Sequence, residues 1–217
     1  VWSYNSDISP PIITEAGEYS VFHIEDKINL ESKSQFRHAF VSTNQISYKS
    51  IYHIDHSIQY YRGNTESNNQ NIPVYVRLEL NTVDIAPFQL PGGIYKVYEK
   101  KDGNFTYIGT GSAGIVSEND IIKLEIGKTH DILCTFTLKS YELERDIGKA
   151  EINAVFENRK GIPVEIIWME KFSDGRWKII KSNSEYERLD AYNAKFNISI
   201  PENSKKEINF IARIEKM

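Results

Sequence analysis

Apolar residues recur at every second position along much of this chain, and this spacing constrains the fold more than any other feature. Three such rows are Val164, Ile166 and Trp168; Ala194, Phe196, Ile198 and Ile200; and Ile208, Phe210, Ala212 and Ile214. Side chains of a β-strand point alternately to opposite faces, so each row forms one buried face of a strand. No sustained helical period is found. The sequence therefore predicts an all-β protein whose interior is built from sheets alone.

Two Asp-Gly pairs lie between apolar segments and predict β-hairpins. The first is Asp102-Gly103, between 93–98 and 105–108, and the second is Asp174-Gly175, between 164–172 and 177–180. Asp-Gly accepts the positive φ angles of tight hairpin turns. In the second hairpin, Trp168 and Trp177 would face each other or flank the ladder.

The strand spacing predicts two consecutive β-rich modules. Residues 1–127 are expected to form a β-sandwich or barrel-like module with an N-terminal arm. Residues 128–217 contain about seven strand segments, a number typical of an immunoglobulin-like or fibronectin-like β-sandwich. The glycine-rich stretch 109–114 is interpreted as a loop between strands, because no helix follows it.

The charge distribution argues against a nucleic-acid partner. The chain has 26 basic and 30 acidic residues and a net charge of -4. Counting to Gly127 gives 10 basic and 15 acidic residues, and the remainder has 16 and 15. Neither part has the concentrated positive charge that a phosphate backbone requires.

Apolar runs are too short for a membrane span, since the longest is Ile166–Met169 and a spanning helix needs about 20 residues. The chain begins at Val1 without a methionine. We therefore expect that a signal peptide or a larger N-terminal region has been removed.

The single cysteine, Cys134, lies in the strand-like run 131–138. A catalytic thiol needs a neighbouring base and a positive environment. His130 would lie about 13 Å away along a strand. Cys134 is therefore interpreted as a small core residue.

His53, Asp55 and His56 form the strongest candidate for metal binding or acid–base catalysis. On a strand, however, His53 and His56 project to opposite faces, and only a turn at 54–57 would bring them together. We therefore favour two surface histidines at a strand end. A metal-dependent or acid–base hydrolase using these three residues is the alternative, and no cofactor and no catalytic residue is assigned.

Four tyrosines, Tyr48, Tyr52, Tyr60 and Tyr61, are the candidate binding residues. Tyrosine offers a large apolar surface with a polar tip, as partner-binding faces often do. The same residues are also good strand formers that could simply cover a sheet. Together with Trp168 and Trp177, they leave open a protein partner, a homo-oligomer or a glycan that stacks on the rings.

An ordered series of short motifs runs through the chain: Leu90–Tyr98, Tyr107–Gly109, Ile126-Gly127, His130-Asp131, Glu151–Asn158, Ile162–Glu165, Trp177, Leu189-Asp190 and Phe196. This series resembles the C-terminal β region of bacterial conserved hypothetical proteins of the mucoidy-inhibitor A type. The resemblance runs from about residue 15 to the C-terminus. It implies a periplasmic or exported protein, although the residues themselves leave the cytoplasm open, and it transfers no catalytic residue. The expected function is a non-catalytic binding or scaffold module of the bacterial cell envelope.

Overall fold

The computed structural model describes residues 12–16, 19–23, 32, 46–58, 68–84, 89–172 and 176–215. Within these residues the regular structure is β, apart from one short 3-10 turn at Thr82–Asp84. The all-β prediction is thereby confirmed. No helix in the described part of the chain is long and apolar enough to cross a membrane.

Fifteen strands make up the described structure. They are β1 (Ile12–Ala16), β2 (Tyr19–His23), β3 (Tyr48–Ile58), β4 (Asn68–Ile72), β5 (Tyr75–Asn81), β6 (Gly93–Lys101), β7 (Asn104–Ala113), β8 (Ile121–Lys128), β9 (Ile132–Glu144), β10 (Ile147–Asn158), β11 (Val164–Phe172), β12 (Arg176–Ser182), β13 (Glu187–Arg188), β14 (Asn193–Ile200) and β15 (Ser204–Glu215).

The chain divides into two compact units, each made of several chain segments. One unit comprises the described residues within Val1–Lys49, Glu79–Tyr95 and Ser112–Lys123. It contains the antiparallel β1–β2 pair and a bridge between Leu90 and Val116. The other comprises those within Ser50–Leu78, Lys96–Gly111 and Leu124–Met217.

The second unit is a two-layer β-sandwich. Its five-stranded sheet has the order β12-β15-β10-β9-β4, and its six-stranded sheet has the order β13-β14-β11-β3-β5-β8. Most neighbours are antiparallel, but β3 and β11 run parallel, with His56 beside Glu170. Apolar residues of both sheets share one core, so the sheets pack face to face.

Trp168 lies at the centre of this core and is 1% exposed. Its ring lies 4.7 Å from that of Phe196 and 5.5 Å from that of Phe156, measured between centroids. Phe210 and Phe136 complete the surroundings at 5.7 and 6.3 Å. Cys134 is buried in the same core, as predicted.

The first predicted hairpin is present and the second is not. Asp102 and Gly103 have φ angles of 50° and 81° between β6 and β7, which pair with each other. The second Asp-Gly pair, Asp174-Gly175, lies outside the described residues. The strands on either side lie in different sheets, because both edges of β11 are occupied by β14 and β3 while β12 pairs with β15. Trp168 and Trp177 therefore do not share a hairpin ladder.

The sheets also do not divide at residues 127 and 128, where the two predicted modules meet. β3 is inserted beside β11, and β4 adds to the edge of β9. Pairing of this kind between distant segments leaves no mark in the local alternation, which is why the sequence alone places the boundary elsewhere. The finer immunoglobulin-like assignment stays a prediction.

The glycine-rich stretch 109–114 differs from its interpretation as a loop, because β7 continues through Ala113. Gly109 and Gly111 lie against β8. A Cβ at Gly109 would stand 2.5 Å from the carbonyl oxygen of Ile126, and one at Gly111 would stand 2.9 Å from Cβ of Leu124. These glycines permit a close approach of backbone to backbone.

Gly148 on β10 lies under the buried ring of Tyr141, and an added methyl group has no room there. A Cβ at Gly148 would stand only 2.5 Å from Cζ of Tyr141. We expect Gly148→Ala to lower the free energy of unfolding by about 1–3 kcal/mol, because a well-packed core must shift to accept it. Urea unfolding measures this loss. Gly161→Ala, where nothing lies within 4 Å, is the matched control, and equal stability of the two variants would contradict the prediction.

Candidate functional site

Of the four predicted tyrosines the structure describes Tyr48 and Tyr52, and these two differ in exposure. Tyr48 at the start of β3 is 67% exposed, whereas Tyr52 is 7% exposed and packs in the core of the sandwich. Tyr52 points inward because it shares its face of β3 with Ile54 and Ile58. Tyr60 and Tyr61 lie outside the described residues.

His53 and His56 lie on opposite faces of β3, because the strand runs unbroken through both residues. His53 Nε2 lies 3.2 Å from Glu125 Oε2, and its ring stacks on that of Tyr75. Asp55 is exposed on the face of His53, whereas His56 points into the sandwich. Among the described residues, no group of three or more His, Cys, Asp and Glu side chains could hold a metal ion.

His56 instead meets a carboxylate that the sequence reasoning missed. Its Nδ1 lies 2.8 and 3.0 Å from the two carboxylate oxygens of Glu170, the residue beside it on β11. Trp168 Nε1 donates to Glu170 Oε2 at 3.0 Å. Glu170 is completely buried, and the His56 side chain is 10% exposed. This is a buried histidine–carboxylate pair, and the two side chains are held in fixed orientations.

Glu170 has an available sequence signal. It follows Val164, Ile166 and Trp168 at the same two-residue spacing, so it occupies an inward position in an apolar row. A buried charge is costly unless it is paired and hydrogen-bonded. Continuing the alternation by one position would have identified this carboxylate as a residue that needs a partner.

Burial raises the pKa of Glu170, and the bonds from His56, Trp168 and the backbone N–H of Ile58 act in the opposite direction. Burial, followed by the nearby Glu170 charge, also raises the pKa of Cys134 to about 12. Cys134 therefore stays a neutral thiol at physiological pH. It is not an activated nucleophile.

A cavity of about 210 Å³, which we call the His56 pocket, adjoins this pair. It is lined by His56, Ser57, Ile58, Asn68, Gln70, Phe136 and Leu138. The His56 ring packs on Phe136 at 3.8 Å between centroids. The pocket thus combines an apolar wall with amide side chains and one imidazole.

A second concave site lies along β12, the edge strand of the five-stranded sheet at the side away from β4. This basic groove has a volume of about 390 Å³ and is lined by Arg176, Trp177, Lys178, Ile180, Arg188, Arg213 and Glu215. Four of these seven side chains are cations and one is a carboxylate. The groove is therefore strongly positive in a chain whose net charge is -4.

Side chains from β12, β13 and β15 are held in place in the basic groove by contacts with their neighbours. The Arg188 guanidinium on β13 lies 4.4 Å above the Trp177 ring, and its Nη1 donates to the backbone oxygen of Trp177. Arg213 on β15 is held by Glu215 at 2.8 Å. Ile180 is 51% exposed where the register of β12 against β15 shifts, so it adds an apolar surface beside the cations.

Cross-strand neighbours in the basic groove carry the same charge. Arg213 lies opposite Lys178 on one side and opposite Lys149 on the other. Like charges that face each other across a ladder destabilise a sheet. Lys149 lies outside the groove and is paired with Glu142, so a negatively charged ligand in the groove would relieve the repulsion between Lys178 and Arg213.

The two tryptophans offered for glycan stacking are unavailable for it. Trp168 is 1% exposed and Trp177 is 4% exposed. One face of the Trp177 ring stacks on Phe172 at 4.3 Å, and its Nε1 donates to the backbone oxygen of Ala191. Both rings serve the core of the sandwich.

Comparison with known proteins identifies no family. No model of a known protein family matches the chain, and no curated protein matches it. A solved structure, the yeast delta-COP-I mu-homology domain, is similar over 77% of this chain and 73% of its own length, with 12% sequence identity and a TM-score of 0.30. A likeness at that level assigns neither a family nor an activity.

Proposed function

We propose that this chain is a non-catalytic binding module of the bacterial cell envelope that binds an extended acidic segment of another protein along β12. The observation that carries the proposal is the basic groove on an unpaired strand edge. On one side β12 pairs with β15, and no other described strand pairs with its outer edge. An extended segment could add there as a further strand, with backbone bonds for affinity and side chains for specificity.

The concave surface continues along β12 beyond the basic groove. A further hollow of about 450 Å³ follows the rest of β12, lined by Ile179–Ser182 and Ser184–Tyr186. Lysines on an edge strand discourage aggregation by themselves. Here Arg188 and Arg213, from two other strands, line the same groove as Lys178, so positive charge is concentrated at one place, as steering of a charged partner requires.

The location in the cell envelope is supported by the resemblance to the mucoidy-inhibitor A type. The hydrolase alternative draws no support from the geometry, because β3 directs His53 and Asp55 away from His56. The neighbouring Cys134 is held as a neutral thiol, so it does not supply the His56–Glu170 pair with an activated nucleophile. Binding is therefore the function that these side chains support best.

Charge reversal in the basic groove tests the proposal. We expect a short synthetic peptide with alternating glutamate and valine to bind the chain. The double variant Lys178→Glu with Arg213→Glu should weaken binding at least about tenfold, because close interfacial charge pairs contribute about 1.4 kcal/mol or more. Isothermal titration calorimetry measures the affinity. Raising the salt concentration should weaken the wild-type complex as well, since exposed charges are screened.

The matched control changes the same number of charges elsewhere on the same sheet. Lys139→Glu with Lys205→Glu places two new anions on β9 and β15, outside the groove. Its affinity should stay within about twofold of wild type. Equal weakening of binding by both double variants would count against the proposal. Binding of a peptide with alternating lysine and valine would also count against it, as would self-association of the chain through β12 in place of peptide binding.

A further inference from the structure

The His56 pocket is distinct from the basic groove, since it adjoins β4 and the two strands form opposite edges of the five-stranded sheet. Its distinguishing feature is one nitrogen. Nδ1 of His56 is occupied by Glu170, whereas Nε2 has no hydrogen-bond partner among the described residues. The side chain is nine-tenths buried and lines the cavity, and Nε2 is its remaining hydrogen-bonding nitrogen.

The surroundings of Glu170 decide whether Nε2 donates or accepts. Trp168 Nε1–H and the Ile58 backbone N–H already donate to the carboxyl group, so a proton on that group has an acceptor only at Nδ1 of His56. A pair of which Glu170 is completely buried and His56 nine-tenths buried avoids a net charge. Two neutral arrangements remain: a carboxylate beside an imidazolium, and a carboxylic acid that donates to Nδ1. In both of them Nε2 carries a hydrogen.

The remaining polar walls supply donors of the same kind. Asn68 and Gln70 occupy alternate positions of β4, so their side chains share one face of the strand, and both line the pocket. Each amide group offers two N–H donors. Together with Nε2–H they can surround a planar anionic group, while Phe136 provides an apolar wall for the carbon atom or chain attached to it.

We propose that the His56 pocket binds a small carboxylate, whose oxygens accept hydrogen bonds from His56 Nε2–H and from the side-chain amides of Asn68 and Gln70. A volume of about 210 Å³ suits a molecule of a few carbon atoms. Pockets for drug-sized ligands begin at about 300 Å³. Acetate is a small molecule that offers such a group.

Acetate is the first probe, with the imidazole nitrogens of the ¹⁵N-labelled chain as the readout. We expect acetate to shift the His56 Nε2 resonance saturably, and methylammonium to leave it unchanged, because a donor nitrogen recognises an anion and not a cation. The resonance is assigned through its loss in His56→Gln. This readout reports on the His56 pocket alone, so its outcome is independent of peptide binding at β12.

A pair of variants on one strand separates the pocket from general effects. Gln70→Leu removes a proposed donor and should weaken acetate binding about fivefold, the value of one hydrogen bond of about 1 kcal/mol. Asn69→Leu, on the opposite face of β4, should leave the affinity unchanged. The proposal is overturned if acetate gives no saturable shift, if methylammonium gives the shift, or if the two variants bind acetate alike.

Discussion

Glu170→Leu is expected to lower the free energy of unfolding by about 3–5 kcal/mol, the cost typical of removing one partner of a buried pair. The substitution leaves the Trp168 Nε1–H and the inward-facing Nδ1 of His56 without their shared partner. Neither group gains access to water, since Trp168 is 1% exposed and the His56 side chain is 10% exposed. Urea unfolding followed by tryptophan fluorescence measures the loss.

Glu170→Gln is the matched control, because its amide oxygen can accept from Trp168 and its NH₂ group can donate to Nδ1 of His56. We expect it to retain most of the stability. His56→Leu with Glu170→Leu should recover part of the loss, because both members of the pair are then replaced by apolar groups. A Glu170→Leu variant as stable as Glu170→Gln would contradict the structural importance of the pair.

The difference in stability between the wild type and Glu170→Gln should depend on pH. Burial raises the folded-state pKa of Glu170 above its ordinary value, so the folded chain holds this proton more tightly than the unfolded chain does. The stability that this proton contributes is fully present below the ordinary pKa and is lost as the pH rises through the raised folded-state pKa. Relative to Glu170→Gln, the wild type should therefore lose stability as the pH rises across this interval, and a gain there would contradict the burial.

Trp168→Ala is expected to lower the free energy of unfolding by about 3–5 kcal/mol, the range for truncating a large core aromatic. Four aromatic rings surround this side chain, and the nearest centroid, that of Phe196, lies 4.7 Å away. The cavity left behind cannot close fully because these rings belong to both sheets. The variant also removes one of the donors that hold the Glu170 carboxylate.

Trp168→Phe separates these two effects, because it keeps much of the ring volume and loses the Nε1–H. The free energy of unfolding of Trp168→Phe should lie between those of the wild type and Trp168→Ala. Tyr98→Ala, at a 51% exposed ring on β6, is the control for aromatic truncation outside the core and should cost less than about 1 kcal/mol. A Trp168→Ala variant no less stable than Tyr98→Ala would show that Trp168 is not the centre of the core.

Local alternation predicted the sheets because it records which face of each strand is buried. It placed Trp168, Phe196 and Phe210 in the interior, and the structure confirms all three. The local sequence contains no comparable signal for which strands pair with each other. The pairing of β3 with β11 and of β12 with β15 joins segments far apart in the chain, so the predicted second hairpin and module boundary do not match the sheets.

The same difference between local pattern and long-range pairing explains which residues of the His56 pocket and the basic groove the sequence could predict. His56 was recognised as a candidate from its own type, but its partner Glu170 lies 114 residues away and is brought beside it only by the parallel strands. The basic groove was missed because Arg176, Arg188 and Arg213 come from three strands and form no run in the sequence. An average over each half of the chain conceals such a local concentration of charge.

Hydrogen exchange along β12 reports whether a bound peptide adds there as a strand. An added strand must form backbone bonds with the outer edge of Arg176–Ser182, so the amides there that face away from β15 should exchange more slowly in the presence of the glutamate–valine peptide. Amides of β4, at the other edge of the same sheet, should exchange at unchanged rates. Unchanged exchange along β12 with peptide bound, or protection confined to another strand, would show that the peptide does not add at β12.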